Sequence, residues 1–355
     1  MSDATLKPTG CSTRPRPATV LRRALPLLLL LAVGACRASH AAHPANAPPQ
    51  SIRVTLPGTG TLVYRPGDAK TTTLPLWRTL PEVPPLPAAD RSGYATMNGA
   101  RLYYAVFNQD GGDPVILIHG GFGSSEDWGF EVPLLDKTHE VIVVDCRGRG
   151  RSTLGGQPLS YALMTSDILG LMDYLKVGKA SIVGASDGGI IGLLIAIHHP
   201  GRLNKLFAWG ANFSRSAYSD DLPDPGTGKR YMARAKATYE RLSPTPGDFP
   251  KLLAAIGKLS TAEPEIPPAE LTMIPAPTVI ADGEYEQFIT RAHTEKLARL
   301  IPDARLIIIP DVSHGGPTQD PAAFHRAVVS LLDGPTKKST RQPAARPPQS
   351  NGDHP

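Results

Sequence analysis

Ser186 is the residue of this chain whose surroundings most favour nucleophilic chemistry. It stands between glycines in residues 184–188, which read Gly-Ala-Ser-Asp-Gly. A short β-branched run at 181–183 precedes it, and residues 190–197 place apolar side chains at helical spacing. A strand, a glycine turn and a helix in this order hold a serine exposed as a nucleophile. The sequence therefore predicts a nucleophile at Ser186; the simpler interpretation is a serine that caps a helix.

A serine hydroxyl is a weak nucleophile at neutral pH unless a neighbouring base removes its proton. Among the ten histidines, His314 stands out because it follows a predicted strand at 305–309 in a short loop. The carboxyl ends of parallel strands lie at one edge of a sheet, so this loop and the Ser186 turn are expected at the same edge. We expect His314 to act as base towards Ser186 and then as acid towards the leaving group.

A histidine in this role needs a carboxylate that orients the ring and stabilises its charged form. The order serine, acid, histidine along the chain is expected for this strand, turn and helix context. Three carboxylates follow the predicted strand at 276–281, namely Asp282, Glu284 and Glu286. Spacing alone does not choose among them, because Asp282 can still belong to the strand end, whereas Glu286 lies in the loop beyond Gly283.

The elements that would position these residues alternate along the chain. The continuous apolar run at 115–118 and a second predicted strand at 140–145, apolar at 141–144, are typical of strands buried on both faces of a parallel sheet, and a helix is predicted at 161–175. This alternation predicts an α/β fold with a doubly wound, mostly parallel sheet. The alternation stops at about 213–273, where helical passages are separated by proline and glycine. We expect a helical cap insertion there.

The amino terminus has the composition of an export signal. Residues 1–35 combine arginines, a leucine-rich apolar run too short to span a bilayer, and small residues. The small residues directly before Cys36 resemble the lipobox of bacterial lipoproteins, in which that cysteine is lipidated; ordinary signal-peptidase cleavage is the alternative. We therefore expect an exported protein of a bacterial cell envelope, lipid-anchored to a membrane and facing the periplasm, or else a soluble periplasmic or secreted one.

The rest of the chain divides into three parts. Residues 36–92 are expected to form a proline-rich tether and an extended arm, residues 93–333 the catalytic domain, and residues 334–355 a disordered tail. The formal net charge is +5, but the positive excess lies in the signal and the tail, so we expect no nucleic-acid partner. No cysteine or histidine cluster has the spacing of zinc ligands. We expect neither a metal nor another cofactor, and Cys146 is left without a disulfide partner.

Five motifs resemble those of the α/β-hydrolase superfamily, in particular its capped serine esterase-like branch and enzymes similar to the biphenyl hydrolase-like group. In chain order they are the glycine-rich run 119–123, the loop 145–152, the serine turn 184–189, Gly283 ahead of the acid, and His314. The resemblance covers residues 93–333. It implies the fold of this superfamily, with a cap inserted into its parallel sheet.

The resemblance also implies which carboxylate is the partner of His314 and which reaction Ser186 carries out. The family usually places an aspartate three residues after the glycine; this chain departs from that pattern with Glu286 at the position, which is preferred to Asp282 and Glu284. Members that open epoxides or displace halide have an aspartate nucleophile, so Ser186 implies hydrolysis of a small-molecule carboxylic ester through an acyl-enzyme. The alternatives are C–C bond hydrolysis, cofactor-free perhydrolysis, and a catalytically silent ligand-binding protein. The sequence leaves the oligomeric state open.

The resemblance places the oxyanion hole at two backbone N–H groups. One belongs to Asp187 and the other to Gly121, with Phe122 as the second choice. The carboxylate of Asp187 has two interpretations. In the first, the carboxylate favours binding of a substrate that carries a cationic group. In the second, it stabilises the dipole of a helix at the helix N-terminus.

Overall fold

The computed structural model describes residues 74–219 and 225–334, together with the backbone of two short strands nearer the amino terminus. These strands, β1 (Ile52–Thr55) and β2 (Thr61–Tyr64), form an antiparallel hairpin. They fall in the part of the chain where an extended arm is predicted. The predicted signal, Cys36 and the predicted tail beyond residue 334 lie outside the described residues, so those predictions stay untested.

One sheet of eight strands organises the described residues. In chain order its strands are β3 (Arg91–Met97), β4 (Ala100–Phe107), β5 (Val115–Ile118), β6 (Val141–Val144), β7 (Ala180–Ala185), β8 (Leu203–Trp209), β9 (Thr278–Gly283) and β10 (Ala304–Ile309). Their order across the sheet is β10-β9-β8-β7-β5-β6-β4-β3. Strands β3 and β4 pair antiparallel, as do β4 and β6, whereas all pairs from β6 to β10 are parallel. The predicted mostly parallel sheet is confirmed.

Helices cover both faces of this sheet. They are α1 (Val132–Leu135), α2 (Tyr161–Leu175), α3 (Asp187–His198), α4 (Pro225–Leu242), α5 (Phe249–Ala262), α6 (Pro268–Leu271), α7 (Arg291–Leu300), α8 (Gly316–Gln319) and α9 (Pro321–Leu332). In β5, Ile116 and Ile118 pack with residues of α2, α3 and α7, while Val115 and Leu117 pack on the opposite face with residues of α1 and α9. A strand covered on both faces must be apolar at every position, which explains its continuous hydrophobic run.

Helices α4, α5 and α6 lie between β8 and β9 in the chain, within the segment where a helical cap is predicted. Four buried side chains of this segment form an apolar cluster of their own, and Phe122 of the glycine-rich loop packs against it. These side chains are Tyr239, Phe249, Leu252 and Ile256. The inserted helices therefore pack on the loop that follows β5. Among the helices of the described residues, none is both long enough and apolar enough to cross a membrane.

The parallel strands bring distant parts of the sequence to one edge of the sheet. The glycine-rich loop follows β5, the serine turn follows β7, the loop with the three candidate acids follows β9, and the loop with His314 follows β10. Because these four strands run parallel, their carboxyl ends lie at the same edge. The candidate site residues therefore meet there.

A buried ion pair connects the loop after β6 to helix α2. Nε and Nη2 of Arg147 donate to the two carboxylate oxygens of Asp167 at 2.5 and 2.6 Å, and the side-chain amide of Asn98 donates to the same carboxylate at 2.8 Å. Both members of the pair are buried. Removing one partner of such a pair leaves the other charge buried without compensation.

We expect Asp167→Asn to lower the free energy of unfolding by about 3–5 kcal/mol, because Arg147 would stay buried without its counter-charge. Urea denaturation followed by circular dichroism measures this. Asp173→Asn is the matched control: Asp173 lies 2.8 Å from Arg202 but its side chain is 70% exposed, so its loss should cost less than about 1 kcal/mol. Equal losses of unfolding free energy in the two variants would show that burial does not make the pair of Arg147 and Asp167 more important than an exposed pair.

Candidate active site

The backbone at Ser186 forms a sharp turn between β7 and α3. Its φ is 52° and its ψ is −114°, a combination that costs a non-glycine residue about 1–3 kcal/mol. The turn needs glycine on both sides: a Cβ on Gly184 would lie 2.2 Å from the carbonyl oxygen of Gly188, and a Cβ on Gly188 would lie 2.1 Å from that of Ile118. The Ser186 N–H donates to the carbonyl of Trp209 at 2.7 Å. These contacts fix the serine at the carboxyl edge of the sheet.

His314 lies in the loop after β10, where three contacts fix it. Its Nδ1 lies 2.7 Å from Oε2 of Glu286, its N–H donates to Oε1 of Gln287 at 3.1 Å, and its carbonyl accepts from Nε1 of Trp209 at 2.9 Å. Since a carboxylate only accepts, Nδ1 carries the hydrogen and Nε2 is the nitrogen that can take a proton. Gly210, with φ of 54°, makes room for the ring, because a Cβ there would lie 2.6 Å from Cε1 of His314.

The structure brings Glu286, of the three candidate carboxylates, into contact with His314. While Oε2 of Glu286 bonds the ring, its Oε1 accepts two backbone N–H groups of its own loop at 2.7 and 3.3 Å. Glu284 bonds elsewhere, because its Oε2 accepts the N–H of Asp311 at 3.0 Å. The geometry therefore agrees with the preference for Glu286 over Glu284. The catalytic roles of Ser186, His314 and Glu286 stay predictions.

Asp282 lies in β9 and contacts Glu286 rather than His314. It is buried; its Oδ1 accepts the N–H of Gly283 at 2.9 Å and its Oδ2 accepts the hydroxyl of Thr294 at 2.7 Å. Burial raises the pKa of Asp282 well above its usual value, and the charge of Glu286 raises it further. Two adjacent buried carboxyl groups do not both ionise readily. Of this pair, Asp282 is therefore the group that keeps its proton more readily, and it hydrogen-bonds to Glu286.

The charge of Glu286 acts in turn on His314. Burial alone would raise the pKa of Glu286, but the imidazole of His314 and the hydrogen bonds to the carboxylate together lower it below its usual value. Burial alone would lower the pKa of His314, but the charge and the hydrogen bond of Glu286 raise it above its usual value. The ring is therefore a stronger base than a buried histidine without a carboxylate partner would be.

The glycine-rich loop after β5 is fixed next to the serine turn by two buried side chains. His119 donates from Nδ1 to the carbonyl of Gly120 at 2.7 Å and accepts on Nε2 a backbone N–H of the loop after β6 at 3.0 Å. Burial lowers the pKa of His119, so the ring is neutral, as these two bonds require. Nε of Arg149 donates to the carbonyl of Gly121 at 2.8 Å. The loop then contacts the nucleophile candidate, since a Cβ on Gly120 would lie 3.3 Å from Cβ of Ser186.

The backbone N–H groups of Gly121, Phe122 and Asp187 donate to no protein acceptor within residues 74–219 and 225–334. In a trans peptide the carbonyl and the N–H point in opposite directions. The bond from Arg149 to the Gly121 carbonyl therefore turns the N–H of Phe122 away from Arg149. All three groups predicted as oxyanion donors are thus available, and which of them bind an oxyanion stays a prediction.

The side chain of Asp187 is bonded within the protein. Its Oδ2 lies 3.0 Å from Nη2 of Arg149, and its Oδ1 accepts the hydroxyl of Tyr161 at 2.8 Å. Burial and the charge of Asp187 raise the pKa of Tyr161 well above its usual value, so this hydroxyl remains a donor. Because Arg149 balances the charge of Asp187, the structure favours an acid at the N-terminus of α3 over a site for a cationic substrate group.

Ser186 and His314 line the same cavity, which has a volume of about 210 Å³. Most of the cavity surface is apolar or aromatic. The inserted helices form one wall, to which Tyr231, Met232 and Ile256 contribute. A molecule that enters this cavity as far as Ser186 therefore lies mostly among apolar side chains.

Sequence reasoning missed several residues that shape this site. Arg149 stands inside the recognised motif at 145–152, but its partners come from other elements. Tyr161 lies in a predicted helix, where nothing in the pattern indicates a bond to the serine turn. Gly210 directly follows a predicted strand, and that position is the one signal that could have identified it. Leu80 also lines the cavity, although it lies outside the domain predicted at 93–333.

Comparison with known sequences identifies the family of this chain. The sequence pattern of the alpha/beta hydrolase family matches residues 115–327. A protein of Caulobacter sp. (strain K31), named "Putative carbamate hydrolase RutD", is 30% identical over 268 residues, which cover 66% of this chain and 96% of that protein. The "3-oxoadipate enol-lactonase 2" of Acinetobacter baylyi is 26% identical over 266 residues, which cover 67% of this chain and 95% of the relative.

Solved structures share the fold. The meta-cleavage product hydrolase from Pseudomonas fluorescens IP01 matches with a TM-score of 0.57 at 22% identity, over 68% of this chain and 97% of that one. At this identity the likeness shows the fold alone. Since the family pattern spans more than half of the sequence and contains the serine turn and both loops that meet it, this chain belongs to the alpha/beta hydrolase family.

Proposed function

We propose that the protein is a serine hydrolase that cleaves small carboxylic esters through an acyl-enzyme intermediate. The observation that carries this proposal is that Ser186, on its strained turn, lines one cavity with His314, whose Nδ1 is bonded to Glu286. A serine beside a histidine whose other nitrogen bonds a carboxylate is the arrangement that performs acyl transfer. The names of two relatives support the substrate class, because a lactone is a cyclic ester and a carbamate is an acyl compound.

In the proposed reaction Ser186 attacks the carbonyl carbon of the ester while Nε2 of His314 takes the hydroxyl proton. The carbonyl oxygen becomes an oxyanion that accepts from the N–H of Asp187 and from that of Gly121 or Phe122. Each preorganised donor of this kind contributes roughly a hundredfold to a thousandfold in rate. His314 then gives its proton to the departing alcohol. Water, deprotonated by His314, attacks the acyl-Ser186 carbonyl, releases the acid and restores the hydroxyl.

The contacts around this pair support a different role for each nearby carboxyl group. Glu286 orients the ring of His314 and stabilises its charged form during the reaction. Asp282 hydrogen-bonds to Glu286, and its raised pKa favours its neutral form, which limits the negative charge beside the imidazole. The carboxylate of Asp187 is balanced by Arg149, so we propose neutral esters with apolar substituents rather than amino esters.

We expect Ser186→Ala to lower kcat/KM for esters by roughly 10⁴- to 10⁶-fold, because the nucleophile and its covalent intermediate are lost. The wild-type protein should react with a fluorophosphonate probe, whereas Ser186→Ala should not. Ser260→Ala is the matched control, since Ser260 lines the same cavity and its hydroxyl donates to the carbonyl of Gly257 at 3.2 Å. A folded wild-type protein that neither reacts with the probe nor cleaves any ester would show the proposal to be wrong.

We expect Glu286→Gln to lower kcat/KM by roughly 10³- to 10⁴-fold and to move the acidic limb of its pH profile to lower pH. The base must be neutral, so this limb follows the pKa of His314. Glu286 raises that pKa and burial lowers it; without the carboxylate charge, the lowering dominates. The profile of kcat/KM for a neutral ester measures both effects.

Glu284→Gln is the control for this profile. Glu284 belongs to the same loop but accepts from the N–H of Asp311 at 3.0 Å, a bond that a glutamine oxygen can still accept. Its profile should coincide with that of the wild type. An unchanged acidic limb in Glu286→Gln would exclude Glu286 as the partner that sets the basicity of His314.

A further inference from the structure

Segment 74–84 precedes the sheet and lies outside the part of the chain that the family pattern matches, residues 115–327. It contains a single 3₁₀ turn, Leu76–Arg78, and has no regular secondary structure after that turn. It nevertheless occupies a defined place, because hydrogen bonds and a ring contact join it to three separate parts of the hydrolase fold.

The first of these parts is helix α4 of the cap. The hydroxyl of Thr227 and Nη2 of Arg230 donate to the carbonyl of Arg78 at 3.1 and 2.8 Å. One turn further along the helix, Nη1 of Arg234 donates to the carbonyl of Pro81 at 2.6 Å. Carbonyls on both sides of Leu80 are therefore bonded to one face of α4.

The second part is the loop of His314. Gln319 is buried at 2% exposure, and its Nε2 donates to the carbonyls of Trp77 and Thr79 at 3.2 and 3.0 Å. Its Oε1 accepts the N–H of Ser313, the residue before His314, at 2.7 Å. The same buried amide thus bonds the segment and the loop that carries the candidate base.

The third part is the loop of Glu286. The ring of Trp77 stacks on the ring of Tyr285, the residue before Glu286, with centroids 4.9 Å apart and planes 11° apart. Offset or stacked aromatic pairs contribute roughly 0.5–1.5 kcal/mol beyond the area they bury. The segment therefore contacts the neighbour of Glu286 directly and the neighbour of His314 through Gln319.

These anchors surround Leu80, whose side chain lines the cavity together with Ser186 and His314. Its two neighbours, Thr79 and Pro81, both have bonded carbonyls, so the backbone that carries Leu80 is fixed on each side. An apolar side chain on a backbone held in this way, in a cavity of about 210 Å³, reduces the space for a longer substrate. One methylene group in such a pocket changes discrimination by roughly tenfold or more.

We propose that Leu80, held by segment 74–84, is a specificity-determining residue that limits the length of the apolar acyl chain of the ester. This inference rests on the proposed ester hydrolysis and identifies the part of the substrate whose length the cavity limits. It assigns a substrate-contacting role to a residue outside the matched family segment. The segment supplies a wall of the cavity that the parallel sheet and the cap do not supply by themselves.

The test is the ratio of kcat/KM for p-nitrophenyl octanoate to that for p-nitrophenyl acetate. Leu80→Ala should raise this ratio roughly tenfold over the wild type, because the removed side chain opens space for the longer chain, and Leu80→Phe should lower it roughly tenfold. Leu74→Ala is the control: this leucine of the same segment is 46% exposed, and its variant should keep the wild-type ratio.

Reaction with a fluorophosphonate probe and the midpoint of thermal unfolding are measured on each variant, to separate specificity from folding. Ratios that stay equal to that of the wild type in both Leu80 variants, while probe labelling persists, would overturn this inference and leave the proposed function standing. A change of equal size for both esters would do the same. A wild-type protein that neither labels nor cleaves either ester would overturn the proposed function, and with it the role of Leu80.

Discussion

One buried guanidinium, that of Arg149, joins the loops from which the candidate site is built. It donates to the carbonyl of Gly121 after β5, pairs with Asp187 at the start of α3, and donates to the carbonyl of Arg147 in its own loop. Its side chain is 1% exposed, and a cation so deeply buried is tolerated only when it is paired and its donors are satisfied. Its partners lie on three different segments. The cation is therefore compensated only when the glycine-rich loop, the serine turn and its own loop are assembled together, and the strained backbone of Ser186 depends on the same assembly.

The parts of the site that depend on residues close together in the sequence could be predicted. The serine turn needs glycines at 184 and 188 because a Cβ at either position would clash with a backbone carbonyl, and this requirement is visible in the sequence as a pattern of glycines. The sheet was predictable for a similar reason: β5 is apolar at every position because both of its faces are covered. His314 could be located because the end of a parallel strand determines the edge at which its loop lies.

The choice among neighbouring carboxylates and the origin of the cavity walls depend on contacts between distant segments. Asp282, Glu284 and Glu286 are chemically similar and lie within one short stretch, so the resemblance to a family was needed to prefer Glu286. Folding separates them through partners on other elements: the hydroxyl of Thr294 for Asp282, the N–H of Asp311 for Glu284 and the ring of His314 for Glu286. No local pattern encodes such partners. The same holds for Arg149, whose residue type is visible in its motif but whose bonds to Gly121 and Asp187 exist only in three dimensions.

The bond between Gln319 and Trp77 spans 242 residues of sequence, and this separation has a consequence for biogenesis. Segment 74–84 leaves the ribosome early, yet the buried amide that fixes it is synthesised after every strand of the sheet. Chains emerge from the amino terminus at about 5–20 residues per second, so segment 74–84 waits for many seconds without this partner. His314 is made only five residues before Gln319. The candidate base and the amide that fixes segment 74–84 are therefore made at nearly the same moment, and a growing chain that already contains Ser186 has neither until every strand of the sheet has been synthesised.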